Sequence, residues 1–385
     1  MNFSHLTSYL DTIPKTGIPS VDVAVSVGHT CVYRHSAGFL DPEKIRTPDD
    51  RTIYRLFSAT KPITCTAAVK LLAEGRIALD DPLSDYLPEF RNMVVMENGK
   101  PHLAKNPILL RHLFTMSAGF GYDLNTPAFL KAQADHPHPD TRTMIRALAD
   151  TPLYFEPGTN FRYGLSHDVL AAVVEVVSGV RFGSYLKDNF FDPLGMTDFG
   201  FTLPPQETDR LATQYLYQNK LNYSTVRENN NGFVFPDSDY ESGGAGLYGT
   251  LPGYLAFCEM LSSDGVGRDG TRILPPRTAA SMGQNLLPDC GLAGFRDSQR
   301  KQGYGFGLCC RAHMSPVISL SESPVGEFGW DSATGWYVLM DPINRVSIVL
   351  AAHVRGSDYI YQAVHPRTRN LVYEALRENR LIPQI

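Results

Sequence analysis

A chain of 385 residues, 43% apolar and 19% charged, suits a globular protein of roughly two to three domain-sized units with a large core. Its formal net charge of −5, with no Lys/Arg run interleaved with aromatics, argues against a nucleic-acid partner. Met1-Asn2-Phe3-Ser4-His5-Leu6 is not a basic segment followed by an apolar stretch, and no apolar run reaches the roughly 18 residues of a membrane span, so a cytoplasmic protein without membrane contact is expected.

The first element in the chain is a β-hairpin. Val21-Asp22-Val23-Ala24-Val25-Ser26-Val27 places apolar residues at every second position, Gly28-His29 turns the chain, and a second strand runs from Cys31 to His35. Next comes Leu56-Phe57-Ser58-Ala59-Thr60-Lys61-Pro62, opening a run of helix formers over 61 to 75 that stops at Gly75. Three residues apart in a first helical turn, Ser58 and Lys61 share a face, so amine and hydroxyl can meet. A serine hydroxyl is a poor nucleophile at neutral pH. A desolvated lysine whose pKa falls well below about 10.4 would serve as its base, and the helix N-terminus favours developing negative charge. A four-residue pattern with two fixed positions also recurs by chance, so neighbouring segments must support it.

Further helical periodicity appears at 109 to 116, 142 to 150 and 167 to 178, between Pro/Gly-rich loops. One of these, Pro157-Gly158-Thr159-Asn160-Phe161-Arg162-Tyr163, sets Tyr163 at the mouth of a loop; alone this equally reads as an aromatic packed under a turn. Phe328-Gly329-Trp330-Asp331-Ser332-Ala333-Thr334-Gly335-Trp336-Tyr337 carries both tryptophans of the chain and reads either as the approach to a strand or as an aromatic edge cluster. Gly335 to Met340 and Val346 to His353 are β-rich, joined by Asp341-Pro342-Ile343-Asn344, and 361 to 379 reads as a closing helix. The expected fold class is α/β: an antiparallel sheet from both chain ends, flanked by helices, with an inserted, mostly helical region. The expected division is 1–80 with 205–385 for the sheet domain and 81–204 for the helical region, the active site between them.

Several motifs are set aside. Gly244-Ala245-Gly246-Leu247-Tyr248-Gly249 fits G-x-G-x-x-G but follows no hydrophobic strand, and reads as a tight loop rather than a dinucleotide site. No G-x-S-x-G elbow is present. His112, His167 and His353 read as structural histidines, and Asp80-Asp81 before a proline as a loop or cap. Cys31, Cys65, Cys258, Cys290, Cys309 and Cys310 form no C-x-x-C pair and have no His spaced for zinc, so buried reduced thiols and no metal are expected.

The Ser58, Tyr163 and Trp330 segments, in this order, resemble the serine β-lactamase and penicillin-binding-protein superfamily, most closely its class C-like branch, which includes family VIII carboxylesterases. The resemblance extends through Leu79-Asp80-Asp81-Pro82-Leu83, Leu110-Arg111-His112-Leu113-Phe114-Thr115-Met116-Ser117-Ala118-Gly119, Asp192-Pro193-Leu194-Gly195-Met196 and Ser242-Gly243-Gly244-Ala245-Gly246-Leu247, nearly the whole chain. It implies a β-lactamase/transpeptidase-like fold and a serine hydrolase acting on a small-molecule substrate without cofactor. Ser58 is implied as acyl acceptor, Lys61 as its proton partner and Tyr163 as a second base. The backbone N–H groups of Ser58 and Ala333 are implied as the oxyanion hole, and Tyr122 as a wall of the active site.

Departures from the family pattern bear on substrate. Leu165 stands two residues after the tyrosine, where Asn or Ser is usual. Trp330 replaces the Lys or His that attracts a β-lactam carboxylate. Asp331 follows it, and Ser332 stands where glycine is common and its side chain can crowd the oxyanion strand. Losing the charge-assisted contact costs on the order of 1.5–3 kcal/mol, so an esterase for small uncharged acyl groups is expected. The alternatives are a β-lactamase or D-amino-acid amidase or peptidase, and a silent scaffold that binds cell-wall peptide. Specificity is expected to rest on the stretches 120 to 140 and 285 to 305.

Overall fold

The computed structural model describes residues 1–219, 222–225, 239–308 and 310–384, so Cys309 lies outside the described residues. Seven strands form the main sheet: β1 (Ser20–Val27), β2 (Thr30–Gly38), β3 (Tyr304–Phe306), β4 (Arg311–His313), β5 (Phe328–Asp331), β6 (Tyr337–Asp341) and β7 (Val346–Ala351). Their order is β2-β1-β7-β6-β5-β4-β3, each neighbour antiparallel. The fold is the α/β architecture expected, with the two chain ends meeting where β1 pairs with β7, Val23 opposite Leu350.

The hairpin forms because Gly28 (φ 51°) and His29 (φ 64°) both take positive φ, as a type I′ turn requires, and that turn matches the twist of β1 and β2. Alternation along β1 then sorts side chains to two cores. Val21, Val23 and Val25 join Leu339, Ile348 and Leu350 against the helix α5 (His365–Glu378), through Leu371, Val372 and Leu376. Ala24 faces the other way with Val338, Met340 and Val349. There they meet the helices α1 (Thr60–Ala73) and α3 (Leu251–Ser262). Each fully buried Val or Leu contributes roughly 1.5–3 kcal/mol, so two apolar faces commit the sheet to a helical layer on each side.

The expected helices appear at Thr60–Ala73, Leu110–Phe114, Thr141–Leu148 and α2 (Ser166–Ser178). Gly75 (φ 69°) stands just past the end of α1. The closing helix is α5, preceded by a wider π turn at Ile360–Val364.

Other expectations are corrected. Gly335 (φ 86°) belongs to the turn before β6, where its N–H bonds to Ser332 O at 2.9 Å. Phe328–Asp331 is itself an interior strand, not the approach to one. The stretches 120 to 140 and 285 to 305 contain the helices Pro127–Asp135 and α4 (Asp289–Gln299). Cys65, Cys258 and Cys310 are buried, but Cys31 and Cys290 are exposed. Among the described residues, no single helix is long and apolar enough to cross a membrane.

Candidate active site

Ser58 lies in a 3-10 turn, Phe57–Ala59, immediately before α1 rather than within the helix's first turn. Phe57 holds a φ of 47°, a left-handed conformation costly for a bulky side chain, which the surrounding core imposes one residue ahead of Ser58. Ser58 is 9% exposed and borders a cleft of about 650 Å³; Lys61 behind it is wholly buried.

Lys61 Nζ donates to Gly244 O at 2.7 Å, to Tyr122 Oη at 3.0 Å and, at a long 3.4 Å, to Ser58 Oγ. It also faces the rings of Tyr163 and Tyr122, 4.6 and 5.2 Å from their centroids. Burial disfavours its charge, but Tyr122, Tyr163 and Asp168 outweigh burial and hold the amine above its ordinary pKa. The lowered lysine pKa expected from desolvation alone is thereby corrected: Lys61 is an ammonium at neutral pH. Burial likewise raises the Tyr122 hydroxyl, with Lys61 pulling against it.

Tyr163 borders the cleft with Ser58. Its hydroxyl accepts the indole N–H of Trp330 at 3.1 Å, and the two rings stack at 25°. Trp330 rests in turn on Phe295 and Phe306, in a core shared with Met116 and Phe161. The residue that replaces a cation is therefore an indole seated in a buried aromatic cluster.

Past β5 the chain turns at Ser332-Ala333-Thr334. The Ser332 hydroxyl bonds to Thr334 Oγ1 at 2.8 Å and accepts Thr334 N–H, so it is drawn into the turn and does not crowd the strand. Ala333 is exposed at the cleft. Cleft residues beyond it are polar or charged: Gln299, Arg300, Lys301, Asp331, Asp358 and Gln362. Asp331 pairs with Lys301 at 2.6 Å and lies 3.9 Å from Arg311; burial opposes its charge, but these cations hold it below the usual carboxylate range.

Of the residues singled out in the sequence, Ser58, Tyr163, Trp330, Asp331, Ser332 and Ala333 border one cleft, and Lys61 and Tyr122 meet directly behind it. Leu165 does not join them. It precedes α2, buried in the main core, where it packs rather than meeting a substrate. His112, His167 and His353 are buried and low in pKa, about 4, 3 and 4, burial being the leading cause. Asp81 caps Ala78 N–H and accepts from Tyr86, and Asp80 pairs with Arg111.

Three contributors escaped the sequence reading. Gly244 acts through a carbonyl, and backbone atoms leave no side-chain signature. A Cβ there would lie 2.4 Å from Asp168 Oδ2, so a side chain would have to displace either the turn or the carboxylate. Asp168 lies in the first turn of α2, where acids commonly complement the helix dipole in water, but it is fully buried. Lys301 follows α4 inside the stretch 285 to 305 expected to bear on specificity, but no motif singles it out.

Residues 6–366 match the sequence model of the family described as Beta-lactamase. Esterase EstB of Burkholderia gladioli is 30% identical over 354 residues, 85% of this chain and 84% of EstB. Among solved structures, EstCE1, described as a hydrolase with promiscuous acyltransferase activity, is similar with a TM-score of 0.77 at 25% identity. The match covers 97% of this chain and 98% of EstCE1. Unliganded simvastatin synthase LovD of Aspergillus terreus, as its selenomethionyl derivative, has a TM-score of 0.80 at 19% identity over 98% of this chain and 100% of LovD, a likeness of fold alone. The chain thus belongs to the β-lactamase family, with a fold found also in esterases and acyltransferases.

Proposed function

We propose that the protein is a serine esterase that works through an acyl-enzyme on Ser58 and prefers small, uncharged acyl groups. The observation that carries this reading is the Ser58 hydroxyl at the floor of an open cleft, with a buried Lys61 ammonium behind it and Tyr163 beside it. In the first step Ser58 Oγ bonds to the acyl carbon, the bond to the alcohol oxygen breaks, and the serine proton passes by way of Tyr163 to the departing alkoxide. The carbonyl oxygen, negative in the tetrahedral intermediate, is received by the N–H groups of Ser58 and Ala333. Water then attacks the acyl carbon, the bond to Ser58 Oγ breaks and the acid leaves, while a proton of the water passes by way of Tyr163 to Ser58 Oγ. The 30% identity to an esterase, EstB, supports the ester as substrate class.

A second reading shares the first step and ends on an alcohol in place of water. The polar, open cleft offers room for a second alcohol, and EstCE1 is described as combining both activities.

The test is the time course of p-nitrophenol release from p-nitrophenyl butyrate at high enzyme concentration, for the wild type and Ser58→Ala. A burst and turnover that vanish in Ser58→Ala are expected; equal background rates in both would sink the hydrolase reading. Adding a short alcohol and measuring transester against free acid separates the two endings.

A further inference from the structure

We propose that Asp168 is the buried counter-ion of Lys61, a positioning residue through which Tyr240 and Ser242 anchor the cation behind Ser58. This rests on the reading of Ser58 as the acyl acceptor.

Lys61 donates to a serine hydroxyl, a tyrosine hydroxyl and a backbone carbonyl, groups that answer an ammonium as dipoles. A fully buried ammonium has lost its water, and a carboxylate buried with it compensates that loss better than dipoles do. Asp168 is also fully buried, and its charge raises the pKa of Lys61. Its Oδ1 takes two short bonds, from Tyr240 Oη and Ser242 Oγ, both 2.6 Å, which fix the carboxylate in one orientation. Oδ2 has no hydrogen-bond donor among the described residues.

That free oxygen turns toward the catalytic cation's own contacts. The position a Cβ on Gly244 would take is 2.4 Å from Asp168 Oδ2 and 3.3 Å from Tyr122 Oη. Gly244 and Tyr122 both accept from Lys61, so the carboxylate stands directly behind two of its contacts. The groups facing this space are Lys61 from α1, Tyr122 and Tyr163 from loops, Tyr240 beside the Gly-rich turn, and His167 from α2. His167 stays neutral, with its pKa lowered to about 3 by burial and by Lys61. Lys61 and Asp168 are both wholly buried here, and charges held in so dry a site couple strongly.

Two measurements test this. The first is a cycle of melting temperatures across wild type, Lys61→Met, Asp168→Asn and the double variant. A counter-ion pair predicts that each single change strands a buried charge and that the double variant melts above the less stable single one. The second is the rate of Ser58 labelling by a fluorophosphonate against pH, for the wild type, Asp168→Asn and Tyr240→Phe. In Asp168→Asn the limb set by the Lys61–tyrosine pair should move about one unit to lower pH, because the ammonium sheds its proton more easily without the carboxylate. In Tyr240→Phe, which keeps the charge, the limb should stay at the wild-type pH. Additive losses of melting temperature, a double variant that does not fold while Lys61→Met does, or an unmoved limb in folded Asp168→Asn would overturn the proposal. Wild-type protein that labels at no pH would instead overturn the acyl-enzyme reading, and the melting cycle would still decide on the pair.

Discussion

The indole N–H of Trp330 is given to the hydroxyl of Tyr163 at 3.1 Å, and the same two rings stack with centroids 5.7 Å apart. The aromatic at position 330 thus donates to the oxygen that the proposed mechanism has carry a proton. A donor aimed at a phenol oxygen stabilises it most as negative charge builds there. Trp330→Phe keeps an aromatic in the stack and removes that donor. With a hydrogen bond to a charged group worth about 1.5–3 kcal/mol, kcat for p-nitrophenyl butyrate should fall roughly 10- to 100-fold with KM little changed. Steady-state kinetics with a melting curve checks this; an unchanged kcat in a folded variant would remove the indole from the mechanism.

Gly244→Ala tests the backbone contact to Lys61. Its Cβ would press on Asp168 Oδ2 at 2.4 Å and meet Tyr122 Oη at 3.3 Å, forcing the turn away and withdrawing the 2.7 Å carbonyl contact. Overpacking of this kind costs about 1–3 kcal/mol of stability. If Lys61 acts as proposed, a displacement near 1 Å of its ammonium should lower kcat/KM about 100-fold or more. Turnover near wild type, measured beside a thermal melt, would show that Lys61 needs no help from this carbonyl.

Ser58 and Lys61 were legible because a three-residue spacing survives whether the turn is 3-10 or α-helical. The sheet was legible at β1, β2 and β7 because a strand that feeds two cores still alternates which core each residue joins. The interior strand Phe328–Asp331 was obscured by its aromatics, and α3 by being buried nearly all round, which erases the helical period. The company Lys61 keeps was out of reach for a different reason. Tyr122 lies 61 residues away and Gly244 183 residues away, and one of the two acts through an anonymous carbonyl. Leu165 shows the converse error, since spacing from Tyr163 fixed its place in the chain but not the direction of its side chain.

The cation missing at position 330 has a neighbour in Lys301, neutralised by Asp331 at 2.6 Å on the cleft wall. Asp331→Asn would release that charge toward the cleft while Arg311 stays paired with Glu327 at 3.0 Å. An uncovered, partly desolvated ammonium is worth about 1–2 kcal/mol to a carboxylate. KM for the p-nitrophenyl monoester of succinate should therefore fall about 5- to 20-fold. KM for the uncharged butyrate ester should change less than about 3-fold, under 0.7 kcal/mol. Equal effects on both esters would show that Lys301 does not reach the acyl group.

Glu175 supplies a test of pH dependence away from the cleft. Burial, reinforced by Glu241 and Asp140, raises its pKa to about 7, against the Phe182 N–H bond at 2.9 Å and Arg181. The folded state therefore keeps this proton up to about pH 7, while the unfolded chain releases it near about 4.3. Between those values the folded state binds more protons, so this group's contribution to stability falls as pH rises through the window. Glu175→Gln keeps an acceptor for Phe182 and abolishes the titration. After allowance for solvent screening, the variant should gain about 1 kcal/mol on the wild type between pH 5 and pH 8, roughly 1–2 °C in melting temperature for a chain of this length. Parallel melting temperatures for the two proteins across that range would show that Glu175 is ionised in the fold.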